Sequence, residues 1–468
     1  MNSPLENIDK VPWQVQKLEE LNSLKQSVYF DVEDFVEIID YYVNQSSFKN
    51  SLKVAEYACR LHPSSIVLML KRAQLLASVN KESHALELLS VVETLEPSNS
   101  EIFLTRGAIY SQMSKYEQAI EEYSKAIFES DEPDYVYCNI AFEYENMGNY
   151  DKTIEYLKKA LDLNPENDLA MYEAAYCFDL LSLSQESIDF FSALIDRHPY
   201  STEAWFNLGI SYINAELFEK ALESFEFALA IDPDHYSAVF HSAYAHSLMN
   251  QYTKAIKTYH TLLDKEGEDT DSVIHYYIGE CYEKKEDFQN ARLYYLKAVN
   301  LNPEITDAWI GLGVCENELG NVSSAIKNIK KGLELDPGNT AYLCILADIY
   351  YQEGKLVAGA ECYEKAIESS PDEESIRMDY GDALAESGHF ETASEVILKA
   401  IEDLGPGPNL YYRMAAFLFL RGKNKEGAFF LEEALTMDYD KHVHVLEQYV
   451  ELKDNTEFIK LINLYSSC

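Results

Sequence analysis

Residues 204–233 read AWFNLGISYINAELFEKALESFEFALAIDP, and this stretch decides the fold. Its first half places apolar residues at helical spacing, and its second half is again amphipathic up to Pro233. The proline closes the second stretch because it cannot continue a helix. Gly209 and Ala221 are small among bulky neighbours, which allows two helix axes to approach closely. The stretch therefore predicts a pair of packed α-helices.

The same pattern recurs along the chain with a period of 34 residues. Eight of the 13 prolines lie on one grid of this spacing, with a two-residue insertion before Pro303. The grid prolines are Pro63, Pro97, Pro165, Pro199, Pro233, Pro303, Pro337 and Pro371. Residues 32–441 hold twelve repeats, numbered 1 to 12, which begin at residues 32, 66, 100, 134, 168, 202, 236, 272, 306, 340, 374 and 408. Such a period is typical of a solenoid, in which helix pairs stack on one another.

Small residues recur at two positions of the repeat. Position eight is Gly or Ala in eleven of the twelve repeats, and position twenty is small in all of them. On these residues and their neighbours the chain resembles the tetratricopeptide repeat (TPR) family. Repeat 6 carries the resemblance on Trp205, Leu208, Gly209, Tyr212, Ala221, Phe225, Ala228 and Pro233, and repeat 9 on Trp309, Leu312, Gly313, Ala325 and Pro337.

The resemblance implies an all-α fold, a right-handed superhelical α-solenoid of about twelve helix pairs. It also implies that the first helices line a concave groove that binds peptides or protein segments. The groove would display the second, fifth, ninth, twelfth and thirteenth residues of each first helix. We expect residues 1–31 to supply a capping helix from about Val11, and residues 442–468 a truncated helix pair. Terminal repeats need such caps because they must cover an apolar face.

Two repeats depart from the pattern. Repeat 1 has Ile39 where the other repeats have Gly or Ala. Repeat 7 lacks the closing proline and has Gly267 instead, inside the acidic stretch DKEGEDTD at residues 264–271. This stretch can be a hinge between two parts of the array or a longer turn. We favour the longer turn, because added loop residues cost little free energy.

Charge and composition exclude several classes of protein. The chain has 468 residues, with 38 Lys and Arg against 80 Asp and Glu, a formal net charge of −42. Phosphate backbones and anionic lipids repel such a chain, so we expect neither nucleic acid nor a membrane as partner. A hydrophobic content of 47% is enough for packed cores. No spanning helix, signal segment or CxxC pattern is found among the residues, and we predict a reduced, cytoplasmic protein.

Candidate reactive residues have simpler structural interpretations. Histidines cluster around repeat 7, but His241 and His246 are five residues apart and do not share a helix face. Cys177, Cys281 and Cys315 all occupy position ten of their repeats, which favours a buried packing role over a nucleophile. We therefore predict no catalytic residue, no metal and no cofactor, and a chain that is not an enzyme.

Acidic and aromatic residues dominate the predicted groove. Its 60 positions hold thirteen acidic residues and one basic residue, Lys284, and eight of its 25 positions in repeats 4 to 8 are aromatic, against 13% for the chain. The candidate partner-binding residues are Phe142, Glu145, Tyr172, Tyr176, Asp179, Phe206, Phe240, Tyr244, Tyr276, Glu280 and Glu283. Rings at position five can equally be packed residues, whereas Phe142, Tyr176 and Tyr244 at position nine favour contact with a partner.

These features predict a non-catalytic scaffold that binds an extended segment, basic or aromatic-rich, in an acidic groove. A structural or self-associating array, or an adaptor that modulates a partner enzyme, are the alternatives. Some TPR arrays clamp the C-terminal carboxylate of Hsp70 or Hsp90 with inward Lys, Arg and Asn residues. Here position nine holds Asp40, Asp348 and Asp382, which would repel a carboxylate, so this mode of binding is not expected.

Overall fold

The computed structural model describes residues 12–23, 29–263, 265 and 267–466, and all regular structure among them is helical. The chain divides into two compact units, residues 1–241 and 242–468, which are described separately. The boundary falls within helix α14, Tyr236–Leu248. Consecutive helices pair as the sequence predicts, so the prediction of an all-α array of helix pairs is confirmed.

The N-terminal unit begins with α1, Trp13–Ser23, and continues with six helix pairs. Their bounds are α2 Val32–Asn44, α3 Phe48–Leu61, α4 Ile66–Ser78, α5 Glu82–Leu95, α6 Ser100–Gln112, α7 Tyr116–Ala126, α8 Pro133–Asn146, α9 Tyr150–Leu163, α10 Asp168–Leu180, α11 Ser184–Arg197, α12 Thr202–Asn214 and α13 Phe218–Ile231. The predicted start of a capping helix near Val11 lies outside the described residues, and α1 is described from Trp13.

The C-terminal unit continues the pairing from the second half of α14. Its further helices are α15 Tyr252–His260, α16 Glu268–Lys284, α17 Phe288–Leu301, α18 Thr306–Glu318, α19 Val322–Leu335, α20 Thr340–Gln352, α21 Leu356–Ser369, α22 Glu374–Glu386, α23 Phe390–Leu404, α24 Pro408–Leu420, α25 Asn424–Met437, α26 His442–Gln448 and α27 Thr456–Tyr465. A 3₁₀ helix, Val450–Asp454, joins α26 to α27.

A residue in the left-handed region follows the first helix of every repeat, always at position fifteen. Glycine fills this position in five repeats, with φ between +68° and +80°: Gly148, Gly320, Gly354, Gly388 and Gly422. The other seven repeats use Ser46, Asn80, Ser114, Ser182, Glu216, Asn250 and Glu286, with φ between +54° and +60°. The turn geometry is therefore common to all repeats, although non-glycine residues reach this conformation at a cost in free energy.

Positions eight and twenty-four of a repeat face each other across the helix pair. A Cβ added to Gly209 would lie 2.4 Å from Cε1 of Phe225, and one added to Gly107 would lie 2.4 Å from Cε1 of Tyr123. Glycine is required here because the ring of the second helix lies against the backbone of the first. Repeat 1 reverses the two sizes, since Ile39 stands at position eight and Ala55 at position twenty-four. In repeat 1 the large residue is therefore on the first helix and the small residue is on the second, so the total side-chain volume between the helices is similar to that of the other repeats.

The acidic stretch after repeat 7 is only partly a loop. Helix α16 begins at Glu268, so residues 268–271 form its first turn instead of belonging to the predicted longer turn. The helix starts directly after Gly267, whose φ of +102° favours glycine. Asp264 and Glu266 lie outside the described residues, and the hinge stays a prediction.

A buried network of hydrogen bonds connects the segment after repeat 12 to repeats 11 and 12. Asp382 on α22 is 7% exposed and accepts hydrogen bonds from Arg413 Nε at 2.9 and 3.1 Å. Gln448 Nε2 donates to the same carboxylate at 2.6 Å, and the Tyr449 hydroxyl donates to it as well. The ring of Tyr449 also packs edge-on against Phe417. The segment that follows repeat 12 is therefore held by hydrogen bonds to repeat 11 as well as by apolar packing.

Candidate protein-binding site

Helices α8 and α10 both pack against α9 in the N-terminal unit. At their N-terminal ends, Asn167 Nδ2 donates to Asp134 at 2.9 Å. At their other ends, burial raises the pKa of both Cys177 and Glu173, and the charge of nearby Glu145 raises each further. The two helices therefore run in the same direction and can present one continuous face to a partner.

Four large rings are exposed on these two helices. Tyr135 and Phe142 on α8 are 50% and 55% exposed, and Tyr172 and Tyr176 on α10 are 68% and 46% exposed. We call these four residues, together with Glu145 and Glu173, the α8–α10 face. Rings exposed to this extent on neighbouring helices are unusual for a surface without a partner, because their burial would be favourable.

Two carboxylates of the α8–α10 face have no salt-bridge partner within the described chain. Glu145 and Glu173 approach each other across the two helices, and burial and then Glu145 raise the pKa of Glu173. Two neighbouring carboxylates without a cation destabilise each other, so a cation placed between them would be bound favourably. Glu173 was not predicted from the sequence, because it stands at position six, outside the positions assigned to the groove.

Asp179 and Phe206 were predicted to contact a partner, and the structure shows that both already contact other residues of the chain. Asn214 Nδ2 donates to Asp179 at 2.7 Å, which links α10 to α12. Phe206 is half-buried, with its ring centroid 5.2 Å from that of His235 and 5.3 Å from that of His241. Phe240 is also half-buried, 5.2 Å from His241. These two rings pack against other side chains of the chain, whereas those of α8 and α10 are exposed.

Three of the predicted residues of the C-terminal unit line a cavity of about 450 Å³. Tyr244, Tyr276 and Glu280 line it, together with Tyr252 and Tyr277, which were not predicted. Burial raises the pKa of Glu280, and a hydrogen bond from Tyr276 opposes this shift. Glu283 has a different role, since it accepts a hydrogen bond of 2.6 Å from the buried Tyr295 hydroxyl.

A second and larger cavity of the C-terminal unit, of about 720 Å³, is acidic. Asp348, Asp379, Asp382 and Glu386 line it. Burial is the main cause that raises the pKa of Asp348, and Asp379 and Glu386 raise it further. Burial and then Asp382 raise the pKa of Asp379 in the same way. These acids repel one another because the network around Asp382 supplies only one cation, Arg413.

Several acids of the predicted groove are neutralised or hydrogen-bonded within the chain. Lys71 Nζ lies 2.5 Å from Asp40, and Arg413 pairs with Asp382 in the same manner. Both cations stand at position six of the next repeat, which the count of groove positions left out. The ratio of thirteen acids to one base therefore overstates the free negative charge of the predicted groove positions.

The repeats also match known families. Family models of the tetratricopeptide repeat match residues 100–127, 135–167, 202–235, 272–305, 306–339 and 344–434, together more than half of the chain. The chain belongs to the tetratricopeptide repeat family. The resemblance deduced from repeats 6 and 9 is thereby confirmed, and both of these TPR repeats lie within matched ranges.

Curated relatives match parts of this TPR chain. It is 31% identical over 122 residues to Protein CTR9 homolog from Arabidopsis thaliana, which covers 25% of this chain and 11% of that protein. It is 27% identical over 208 residues to TPR repeat-containing protein YpiA from Bacillus subtilis. This alignment covers 44% of this chain and 41% of YpiA. The alignments thus span less than half of each relative. Among solved structures, yeast Tom70 has a TM-score of 0.43 and 13% identity, covering 90% of this chain and 95% of its own.

The cysteines at position ten of the TPR repeats are packing residues. Cys177, Cys281 and Cys315 are buried, and burial raises the pKa of each thiol to about 12. A thiol with such a pKa is protonated at neutral pH and is a poor nucleophile or metal ligand. The described part of the TPR chain contains no group of three or more His, Cys, Asp or Glu residues placed to hold a metal ion. Within the same residues, no helix is both long and apolar enough to cross a membrane.

Proposed function

We propose that this TPR chain is a protein-binding scaffold whose α8–α10 face holds an extended, cationic segment of a partner protein. The observation that carries the proposal is the set of four exposed rings beside two carboxylates that lack a salt bridge. Tyrosine and phenylalanine provide large contact areas at a small cost in conformational entropy, and carboxylates beside them select Lys or Arg.

The exposed rings could also be an interface between two copies of the chain. Charge argues against this alternative, because the net charge of −42 and the two facing carboxylates would be brought together in a dimer. A cationic segment instead gains electrostatic attraction on approach and contact with the rings on docking. Sedimentation of the full chain at several concentrations distinguishes the two, since a monomer at all concentrations supports the scaffold.

Replacing Phe142, Tyr172 and Tyr176 together with alanine is expected to weaken peptide binding about thirtyfold, because hot-spot rings each contribute a large share of affinity. The probe is a labelled twelve-residue peptide that repeats Lys-Phe-Ala four times, and fluorescence anisotropy on the full chain measures its dissociation constant. Phe128 and Tyr200 are 89% and 85% exposed elsewhere in the same unit, so their double alanine variant is the matched control.

The control variant should bind the peptide as the unmodified chain does, and circular dichroism should show unchanged helix content in both variants. A peptide that repeats Glu-Phe-Ala should not bind. Equal binding of the acidic and basic peptides, or full affinity of the triple alanine variant, would contradict the proposed function.

Salt should weaken this binding. Raising the ionic strength from about 0.05 to about 0.5 M shortens the Debye length several-fold and screens Glu145 and Glu173 from the peptide lysines. We expect the dissociation constant to rise about tenfold over this range. The double variant Glu145→Gln and Glu173→Gln should bind more weakly at low salt and should show a shallower salt dependence. A salt dependence that is the same in both chains would show that these two carboxylates do not attract the peptide.

A further inference from the structure

The tyrosine-lined cavity of the C-terminal unit has the composition of a site for a positively charged group. Four tyrosines, Tyr244, Tyr252, Tyr276 and Tyr277, and one carboxylate, Glu280, line its volume of about 450 Å³. The cavity lies between the last turns of α14, the start of α15 and α16, so three helices fix its walls. A concave site of a few hundred Å³ with few, convergent polar groups is typical of ligand binding.

The lining tyrosine rings meet one another at steep angles, and Tyr277 also stacks on Tyr259, with ring centroids 5.7 Å apart at 20°. Tyr244 and Tyr277 have ring centroids 6.1 Å apart at 74°, and Tyr276 and Tyr277 are 5.2 Å apart at 67°. The faces of aromatic rings carry negative partial charge, so such a wall attracts a cation.

Glu280 supplies a formal charge to the same cavity. Its carboxyl group is half-buried, and burial raises its pKa, while a hydrogen bond from Tyr276 and the charge of nearby Lys284 oppose this shift. Lys284 is the one cation among the lining residues, and it stands exposed one turn beyond Glu280. A bound cation would restore the electrostatic stabilisation that Glu280 loses by desolvation.

We propose that this cavity binds a single cationic side chain of a partner protein, with the ammonium or guanidinium group between the tyrosine rings and Glu280. The inference goes beyond the proposed function, because it places a second site in the C-terminal unit, and it rests on that function for the class of ligand. The bound cation would have to displace the Lys284 side chain from the neighbourhood of Glu280. Lys284 therefore competes weakly with the ligand for this carboxylate at the edge of the cavity.

A peptide with one lysine tests the cavity on the full chain. The probe is capped Ala-Ala-Lys-Ala-Ala, and ligand-observed NMR follows its titration against the same peptide with norleucine in place of lysine. We expect a dissociation constant of about 1 mM for the lysine peptide, typical of one small group, and no measurable binding of the norleucine peptide. Equal behaviour of the two peptides overturns the inference.

Variants then locate the binding. Glu280→Gln, which keeps the shape of the side chain, should weaken binding about tenfold, the value of one charge-assisted hydrogen bond. Tyr244→Leu should weaken it about fivefold through loss of one ring face, and Lys284→Gln should tighten it about threefold. Glu286→Gln makes the same charge change in the turn after α16, outside the cavity lining, and is the matched control.

The α8–α10 triple alanine variant separates the two proposals. It should bind the one-lysine peptide normally even though it loses the twelve-residue peptide. If the one-lysine peptide fails to bind but the long peptide binds through the α8–α10 face, the cavity proposal falls and the proposed function stands. If Glu280→Gln and Glu286→Gln reduce binding equally, the effect is one of net charge and the cavity proposal is likewise overturned.

Discussion

Replacing Asp382 with alanine is expected to destabilise the last repeats by about 3–5 kcal/mol, the cost of removing one member of a buried ion pair. The substitution leaves Arg413 without its carboxylate and removes the acceptor shared by Gln448 and Tyr449. Arg413 is only 17% exposed, so water can solvate its guanidinium group only in part. The segment from α26 to α27 should therefore detach from α22 and α24 before the rest of the unit unfolds.

Urea unfolding measures the loss, and hydrogen exchange assigns it to the helices concerned. Amides of α26 and α27 should lose protection in Asp382→Ala, while those of α16 to α19 should keep it. Glu386 stands one turn further along α22 and is exposed, so Glu386→Ala is the matched control and should change stability by less than about 0.5 kcal/mol. Unchanged protection of the C-terminal helices in Asp382→Ala would show that apolar packing alone fastens them.

In repeat 1 the large residue, Ile39, and the small residue, Ala55, are exchanged between the two helices. We therefore expect substitutions at these two positions to have strongly non-additive effects on the free energy of unfolding. Ile39→Ala should cost about 3–4 kcal/mol, because it leaves a cavity in a fully buried site. Ala55→Leu should cost about 2–3 kcal/mol through overpacking against Ile39. The double variant recreates the pairs Ala73 with Leu89 and Ala141 with Leu157 of repeats 2 and 4. It should be destabilised by only about 2 kcal/mol, a coupling of roughly 3 kcal/mol or more.

Native-state hydrogen exchange of α2 and α3 gives the three free energies, because a terminal repeat can open without global unfolding. Ile38 is as buried as Ile39 but stands one position earlier, on a different side of α2. The double variant Ile38→Ala and Ala55→Leu is therefore the control, and its two costs should add. Additive costs for Ile39 and Ala55 would show that these two side chains do not share one space.

Periodicity was sufficient to predict the fold. Because prolines and small residues recur every 34 residues, the first residues of the repeats coincide with helix starts such as Val32, Ser100 and Thr306. The largest difference is at α16, which begins four residues before Ser272. The helix thus gains more residues at its N-terminus than the two that are inserted, and a repeat template cannot show whether an insertion joins a helix or a loop.

The candidate site was predictable only in part. Tyr172 and Phe206 both stand at position five, yet Tyr172 is exposed and Phe206 is covered by His235 and His241. The difference comes from residues at the end of the same repeat and in the next one, which position alone does not reveal. Glu173 was missed for a related reason, since position six of one repeat faces position nine of the repeat before it, as Lys71 and Asp40 show.

The polar network at Asp382 has a consequence for synthesis on the ribosome. Arg413 follows Asp382 by 31 residues, whereas Gln448 and Tyr449 follow it by 66 and 67. At translation rates of about 5–20 residues per second, Tyr449 is made roughly 3–13 s after Asp382, so the Asp382 carboxylate lacks its last hydrogen-bond donor during this time. The final repeats consequently acquire their full stability only after residue 449 has been made, and nascent chains that stop short of it would expose these repeats to chaperones and proteases.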